Sequence, residues 1–389
     1  MDIFQNKIVL ITCGRGIVPY LLKEVKRLGF EIRSDHDTGV EINASFEDTA
    51  KLNLYLRTAL HVMYRLKKFT CRGTKELYIE IKSLPWEEII DPSEYISIVS
   101  VTDTPHINNS MFASQKIKDA IVDRMMEKLG ARPDSGPERN NVVINFFWKE
   151  NRCWIYLDTS GNKLSDRGYR KIPHTAPLQE TLAAALLLAA GYKGATPLIN
   201  PMCGSGTLAI EAALIALHKA PGLLRDNFSL MHVKNFNEPK WQVLRKEIEA
   251  RVLGSLRSPI IASDIDEEAV EIAKKNARLA GVDKLIEFHV CDFADTPLPK
   301  EKGIIILNPA YGKRMGNNKE LKETYRHIGD FFKQKCTGFT GYVFTGNEAL
   351  SKEIGLRAAR RMEFSNARIP CQFLEYPLYE GSNTTRKDK

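Results

Sequence analysis

Residues 304–316, IIILNPAYGKRMG, carry the densest chemistry in the chain. The apolar run reads as a buried strand reaching Asn308, and Pro309 fixes its own backbone while restraining Asn308 to an extended conformation. That leaves the Asn308 side-chain oxygen and the Pro309 carbonyl as two acceptors held in place. Such a pair suits an exocyclic amino group on a base ring, whose lone pair is delocalised and poorly nucleophilic. Binding both of its hydrogens draws the pair toward an incoming methyl group, so positioning and electrostatics replace covalent catalysis. Tyr311 is placed to stack on a base extruded from its helix. The plain alternative is a strand ending in an Asn-Pro turn.

Three segments upstream would have to position a methyl donor against that turn. In TPLINPMCGSGTLAIEAALIAL a short strand ends at Asn200 and Pro201, and Gly204, Ser205 and Gly206 open a helix. Glycines let backbone approach a ligand, and free amides at the helix start favour a polar group. Gly204, Gly206 and Ala209 also fit the dinucleotide fingerprint, but that site wants an acidic residue about 20 positions on. Here the next acidic strand end is Asp264 in PIIASDID, beyond an insertion over about 218–258. A dehydrogenase is therefore disfavoured. Asp264 suits the two hydroxyls of a ribose, whereas Asp266 precedes EEAVEIAKKNARLAG and reads as its N-cap. Asp292 and Phe293 close a third strand, LIEFHVCDFAD, and suit an adenine amino group and ring.

The elements around these motifs divide the chain. Residues 1–60 read as a small α+β unit, 61–160 as a second α+β module with one clear helix, and 161–380 as alternating strands and helices. That alternation implies an α/β parallel sheet covered by helices on both faces. The tail, 381–389, is polar and reads as disordered.

Composition narrows the class without choosing it. A formal charge of +8 and a pI near 9.0 favour a polyanionic partner. Seven cysteines without a CxxC pair support neither structural zinc nor a disulfide framework, so no metal is expected. The most apolar stretch, Leu182–Ala190, falls short of the roughly 20 residues that span a membrane. No secretory signal is visible at the N-terminus, and the expected location is the cytoplasm.

In the order and number of its motifs the chain resembles the bacterial THUMP-domain class I methyltransferases, particularly the large-subunit ribosomal RNA guanine-N2 methyltransferases. The shared segments are LSDRGYRKIPHTAPLQETLAAALLLAAGY, PMCGSGTLAIEAA, APGLLRD, ASDIDEEAVEIAKKNARLAGV, CDFAD and NPAYGKRMG. The resemblance implies a ferredoxin-like domain, an RNA-gripping THUMP domain and a Rossmann-like domain with a seven-stranded sheet. It further implies S-adenosyl-L-methionine as donor and ribosomal RNA as partner, with transfer RNA as an alternative. Pro177, Leu178 and Thr181 would border the donor's methionine portion, with Asn200, Pro201, Gly204 and Gly206 around it. Lys116 and Lys118 are candidate phosphate contacts, and Arg167, Tyr169, Arg170 and Lys171 form a basic and aromatic cluster suited to RNA. Two departures stand out. The family usually has an acid at Asn200 and a second proline at Ala310, which opens a further alternative: a non-catalytic RNA-binding factor.

Overall fold

Alternation along KIVLITC seats Val9 and Ile11 at 0 % exposure and leaves Leu10 on the opposite face. In the computed structural model, which describes residues 5–170, 178–234, 236–311 and 318–379, this segment is strand β1 (Lys7–Cys13). After it come α1 (Val18–Arg27), β2 (Ile32–His36), β3 (Gly39–Ala44), α2 (Asp48–Tyr55) and β4 (Ala59–Thr70). Next are α3 (Thr74–Lys82), α4 (Trp86–Ile89), β5 (Tyr95–Asp103), α5 (Ser110–Leu129), β6 (Asp134–Ser135), β7 (Val142–Lys149) and β8 (Arg152–Asp158). All these strands form one eight-stranded sheet in the order β2-β3-β1-β4-β8-β7-β5-β6.

The division expected at residue 60 falls inside β4. That strand pairs with β1 on one side, Leu10 opposite Met63, and with β8 on the other, Tyr64 opposite Leu157. Its 12 residues are long enough to serve both partners, so the two α+β modules share one ladder of backbone hydrogen bonds.

This sheet belongs to the first of two compact units, comprising Met1–Cys13, Leu21–Arg167 and Ala220–Ala250. The last of these segments is the insertion seen in the sequence. It carries α8 (Glu238–Glu249) and packs within the first unit rather than extending the α/β domain that it interrupts. Gly222 touches α2 so closely that a Cβ would lie 2.5 Å from the Leu54 Cα. Arg225 donates to the carbonyls of Lys163, at 2.7 Å, and Ser160, at 3.1 Å, and burial pushes its guanidinium down to about 10. Trp241 meets Phe228 edge-on at 5.4 Å and is 2 % exposed.

The second unit comprises Gly14–Tyr20, Gly168–Lys219 and Arg251–Lys389. Its elements are α6 (Glu180–Ala189), β9 (Leu198–Pro201), α7 (Thr207–Ala216), β10 (Ile260–Asp264), α9 (Glu267–Ala280), β11 (Ile286–Val290) and β12 (Ile304–Leu307). They continue with α10 (Asn318–Gln334), β13 (Thr340–Thr345), α11 (Glu348–Glu353), β14 (Arg360–Asn366) and β15 (Ile369–Pro377). The sheet order is β11-β10-β9-β12-β13-β15-β14. Five short apolar strands run parallel, and β15 and β14 close the edge antiparallel. Runs such as IIIL, buried on both sides, are what a helix-covered parallel sheet demands. The seven-stranded α/β arrangement is the one the resemblance implies.

Because β9 is central and its neighbours β10 and β12 lie on opposite sides, successive crossovers depart in opposite directions from it. A crevice opens at such a switch point, outside the carboxyl ends of the strands. Asn200, Asp264 and Asn308 all sit at those ends.

The insertion's packing is directly testable. Trp241→Ala should lower the stability of the first unit by about 3–5 kcal/mol in urea unfolding. An unchanged transition midpoint would mean that α8 contributes nothing to that unit's core.

Candidate active site

The glycine loop after β9 is shaped by three left-handed residues, Met202 at φ 58°, Gly204 at φ 52° and Gly206 at φ 80°. At Gly206 two constraints coincide, because a Cβ there would also approach the Ala273 Cβ of α9 to 2.8 Å. Only glycine satisfies both. Met202 is not glycine, so its conformation is strained and is held by the surrounding loop. The Cys203 N–H donates to the Ser263 carbonyl at 2.9 Å and the Gly206 N–H to the Cys203 carbonyl at 2.9 Å, which tie the loop to β10 and to itself.

Asp264 organises the crevice at the end of β10. Its Oδ2 accepts from the Gly204 N–H at 2.8 Å, and its Oδ1 accepts from the Asp266 N–H at 3.1 Å. Each carboxylate oxygen retains a lone pair beyond these bonds. Asp266 caps α9 by accepting from the Glu268 N–H at 2.9 Å, as its position in the sequence suggests. Between the two acids, Ile265 is 71 % exposed, an apolar side chain that sequence reasoning passed over. Its signal was an isoleucine inside an otherwise acidic turn.

Asp292 lies one strand further along, after β11, and accepts from the Ala294 N–H at 2.9 Å. Phe293 does not present its ring to the crevice. It is 8 % exposed and meets Phe331 edge-on at 5.8 Å within the core, because the short turn after β11 directs it under α10. Ile265 is the better-exposed apolar group for covering a ring.

Asn200, 1 % exposed, donates through Nδ2 to the Ile306 carbonyl of β12 at 3.0 Å. Its Oδ1 is buried without a hydrogen-bond partner among the described residues, and the same holds for Oδ1 of Asn308. An unpaired buried acceptor costs about 1–3 kcal/mol, so two of them at adjacent strand ends point to a ligand that supplies donors. Pro201 and Pro309 are buried beside them.

Tyr311 is anchored by groups that the motif alone does not reveal. Its hydroxyl accepts from Asn366 Nδ2 at 2.8 Å, Cys371 Sγ lies 3.8 Å away, and its ring meets Phe344 edge-on at 6.3 Å. Burial pushes the phenol up to about 12, so Tyr311 is neutral at physiological pH and is no general base. Gly346 leaves room for the ring, since a Cβ there would stand 2.8 Å from it. Ala310 packs on the core beneath α10.

Leu178 and Thr181, 6 % and 1 % exposed, lie at the start of α6. Arg170 braces this start, donating to the Leu178 carbonyl at 3.0 Å and pairing with Glu180 at 3.4 Å. Its guanidinium is therefore engaged internally. Arg167 and Tyr169 are also turned inward, each 1 % exposed. The first donates to the Leu164 and Arg57 carbonyls, and the second to Glu211 at 3.1 Å. The expected RNA-contacting cluster is thus a set of internal braces, because planar guanidinium forks satisfy several carbonyls at once where the chain turns between elements. Lys171 and Pro177 lie outside the described residues. Lys116, on α5, is 36 % exposed with Asp119 at 4.0 Å, and Lys118 pairs with Asp119 at 3.0 Å. Among the described residues no cluster of His, Cys, Asp or Glu is arranged to hold a metal, and no helix is long and apolar enough to cross a membrane.

The loop geometry yields an expectation for Gly206→Ala. The variant should lose about 1–3 kcal/mol of stability from the positive φ and the contact with Ala273. Melting at wild-type temperature would show the loop to be more plastic than this packing allows.

Comparison with known proteins matches three stretches of the chain to family models. Residues 9–63 match an RlmL ferredoxin-like domain, 71–158 a THUMP domain and 167–375 an RMKL-like methyltransferase domain. A Synechocystis protein provisionally named RNA methyltransferase slr0064 is 35 % identical over 95 % of this chain and 96 % of its own length. The ribosomal RNA large subunit methyltransferase K/L of Psychromonas ingrahamii is 36 % identical over 95 % of this chain, which spans 50 % of that relative. Among solved structures, SMU.472, provisionally described as a methyltransferase and complexed with SAH, superposes with a TM-score of 0.86 at 26 % identity over 97 % of this chain and 99 % of its own. The same architecture, with the crevice at the strand switch and the glycine loop bound to Asp264, places the sequence in one lineage: the chain belongs to the RMKL-like methyltransferase family, with ferredoxin-like and THUMP domains ahead of the methyltransferase domain.

Proposed function

We propose that this chain methylates the exocyclic N2 of a guanosine in RNA, with 23S ribosomal RNA as substrate and S-adenosylmethionine as donor, in the cytoplasm. The observation that carries the reading is the pair of unpartnered buried amide oxygens at the ends of β9 and β12, linked through the Asn200–Ile306 hydrogen bond. In this reading Asn200 serves the methyl donor and Asn308 the amino group that accepts the methyl. The large-subunit name of the K/L relatives supports the choice of RNA, and the THUMP match supports an RNA substrate generally.

S-adenosylmethionine supplies an electrophilic methyl group on a sulfonium. The free lone pairs of Asp264 accept the ribose hydroxyls, Asp292 the adenine amino group, and Ile265 covers the ring. Asn200 Oδ1 accepts from the donor's ammonium without contributing a charge. Leu178, Thr181, Pro201, Gly204 and Gly206 form the walls around it. On the other side, Asn308 Oδ1 and the Pro309 carbonyl hold the two hydrogens of the amino group, which localises the nitrogen lone pair. Tyr311, fixed by Asn366, packs on the base. The nitrogen lone pair forms the new N–C bond as the methyl–sulfur bond breaks, leaving S-adenosylhomocysteine as a neutral thioether, and the methylated nitrogen then passes a proton to solvent water, so no strong base is needed.

Incubation with labelled donor and unmodified 23S ribosomal RNA should place label in N2-methylguanosine on nucleoside analysis. Label only in N6-methyladenosine, or in transfer RNA alone, would overturn the assignment, and failure to bind the donor would favour a non-catalytic factor. Asn308→Ala should reduce kcat by about 10²–10³, the scale of losing one preorganised hydrogen-bonding group, with the donor Kd unchanged by calorimetry. Gly346→Ala should displace the Tyr311 ring and raise KM for RNA while leaving donor binding intact. An equal loss in donor affinity would show that the substitution disturbs the whole crevice instead.

A further inference from the structure

The eight-stranded sheet of the first unit has two unlike faces. On one, Phe146, Trp148, Cys153 and Ile155 are at most 1 % exposed and form the core with α5. On the other, Leu10, Met63 and Tyr156 form a small buried cluster, and the residues at its edge are partly open. Phe147 stands opposite Trp154, Lys68 opposite Trp154 on its other side, and Arg152 opposite both Lys149 and Thr70. Phe147 and Trp154 are only half-buried, while Lys68, Lys149 and Arg152 are exposed. On the next strand, Val101 is paired with Phe147 and is 55 % exposed.

Cations and rings interleave here. The Lys68 ammonium lies 5.8 Å from the centre of the Trp154 ring and the Arg152 guanidinium 6.0 Å. Phe147 also meets Tyr156 edge-on at 5.7 Å, which fixes its orientation. The carboxylates near these groups, among the described residues, are Glu41 and Asp103 at the flanks, Glu150 in the turn after β7, which pairs with Arg152 at 3.8 Å, and Asp158, which is 1 % exposed and already holds Asn145 and the Ser160 N–H. Around the two rings the balance is positive, with Lys68, Lys149 and Arg152 set against Glu150.

A solvent-facing strand position ordinarily holds a polar residue, and two adjacent half-open aromatics flanked by lysine and arginine ask for a flat, polyanionic occupant. A single-stranded nucleic acid meets both demands, because every unpaired base offers a π-face and every linkage a phosphate. A duplex keeps its bases stacked on one another and meets only the second. We infer that this sheet face is a docking platform for a single-stranded segment of RNA, on which unpaired bases stack against Trp154 and Phe147 while Lys68, Lys149 and Arg152 hold the backbone. This rests on the reading of the chain as acting on RNA, and it places the grip on the open sheet rather than at Arg167, Tyr169 and Arg170.

The test uses the full-length protein and a fluorescent 12-nucleotide oligouridine, compared with an RNA duplex of equal length, in an anisotropy titration. Wild type should bind the single strand more tightly than the duplex, and the Trp154→Ala, Phe147→Ala double variant should lose about ten-fold or more of that affinity. Since this pair also packs on the sheet, a second variant, Lys68→Ala with Arg152→Ala, changes only exposed side chains. It should make the salt dependence of log K shallower by about 0.7 for each phosphate contact removed. Wild-type affinity and salt slope in both variants, or a preference for duplex, would overturn the inference. Methyl transfer to ribosomal RNA by the wild-type protein separates the two levels of the argument. If it occurs while the variants bind like wild type, only the platform fails; if it is absent while the oligouridine binds at the sheet, the methyltransferase assignment fails and the platform stands.

Discussion

Strand β9 is hydrogen-bonded by β10 on one edge and β12 on the other, and the Asn200 side chain reinforces the second of these junctions. Asn200 gives its amide hydrogen to the Ile306 carbonyl, two residues before Asn308. The ends of β9 and β12 thereby share one rigid frame, with the two strands held at a spacing of about 4.8 Å. A carboxylate at position 200 could not donate this bond. Asparagine here supplies a mechanical tie in place of a charge, and its buried Oδ1 has no hydrogen-bond partner among the described residues.

The glycine loop depends on the same frame. Asp264 holds the Gly204 N–H, and the Ser263 carbonyl holds Cys203, so β10 determines where the loop after β9 can go. The cost is left-handed backbone at Met202, kept in place because both ends of the loop are tied. On the acceptor side the equivalent support comes from the antiparallel edge, where Asn366 and Cys371 of β14 and β15 reach the Tyr311 hydroxyl and Gly346 makes room for its ring.

The first unit follows a different logic. A long β4 joins two α+β modules into one sheet, and the insertion leaves the α/β sequence to pack against them through Gly222, Arg225 and Trp241. A hydrophobic core needs only one covered face of such a sheet. The other buries Leu10, Met63 and Tyr156 and leaves Phe147 and Trp154 partly open among cations.

By itself the sequence determined the local matters: a buried strand running into Asn308 and Pro309, a helix opened by Gly206, an N-cap at Asp266 and the parallel alternation of the second unit. Each is written in a few consecutive residues, where periodicity, proline geometry and capping act over one turn or one strand. What only the tertiary structure decided involves partners far apart in the chain. Phe293 went to the core, Arg167, Tyr169 and Arg170 became internal braces, Ile265 emerged into solvent, and Tyr311 acquired an anchor 55 residues away. An arginine or a tyrosine has the same composition whether it meets phosphate or a carbonyl, and burial, which distinguishes the two, is a property of the assembled chain.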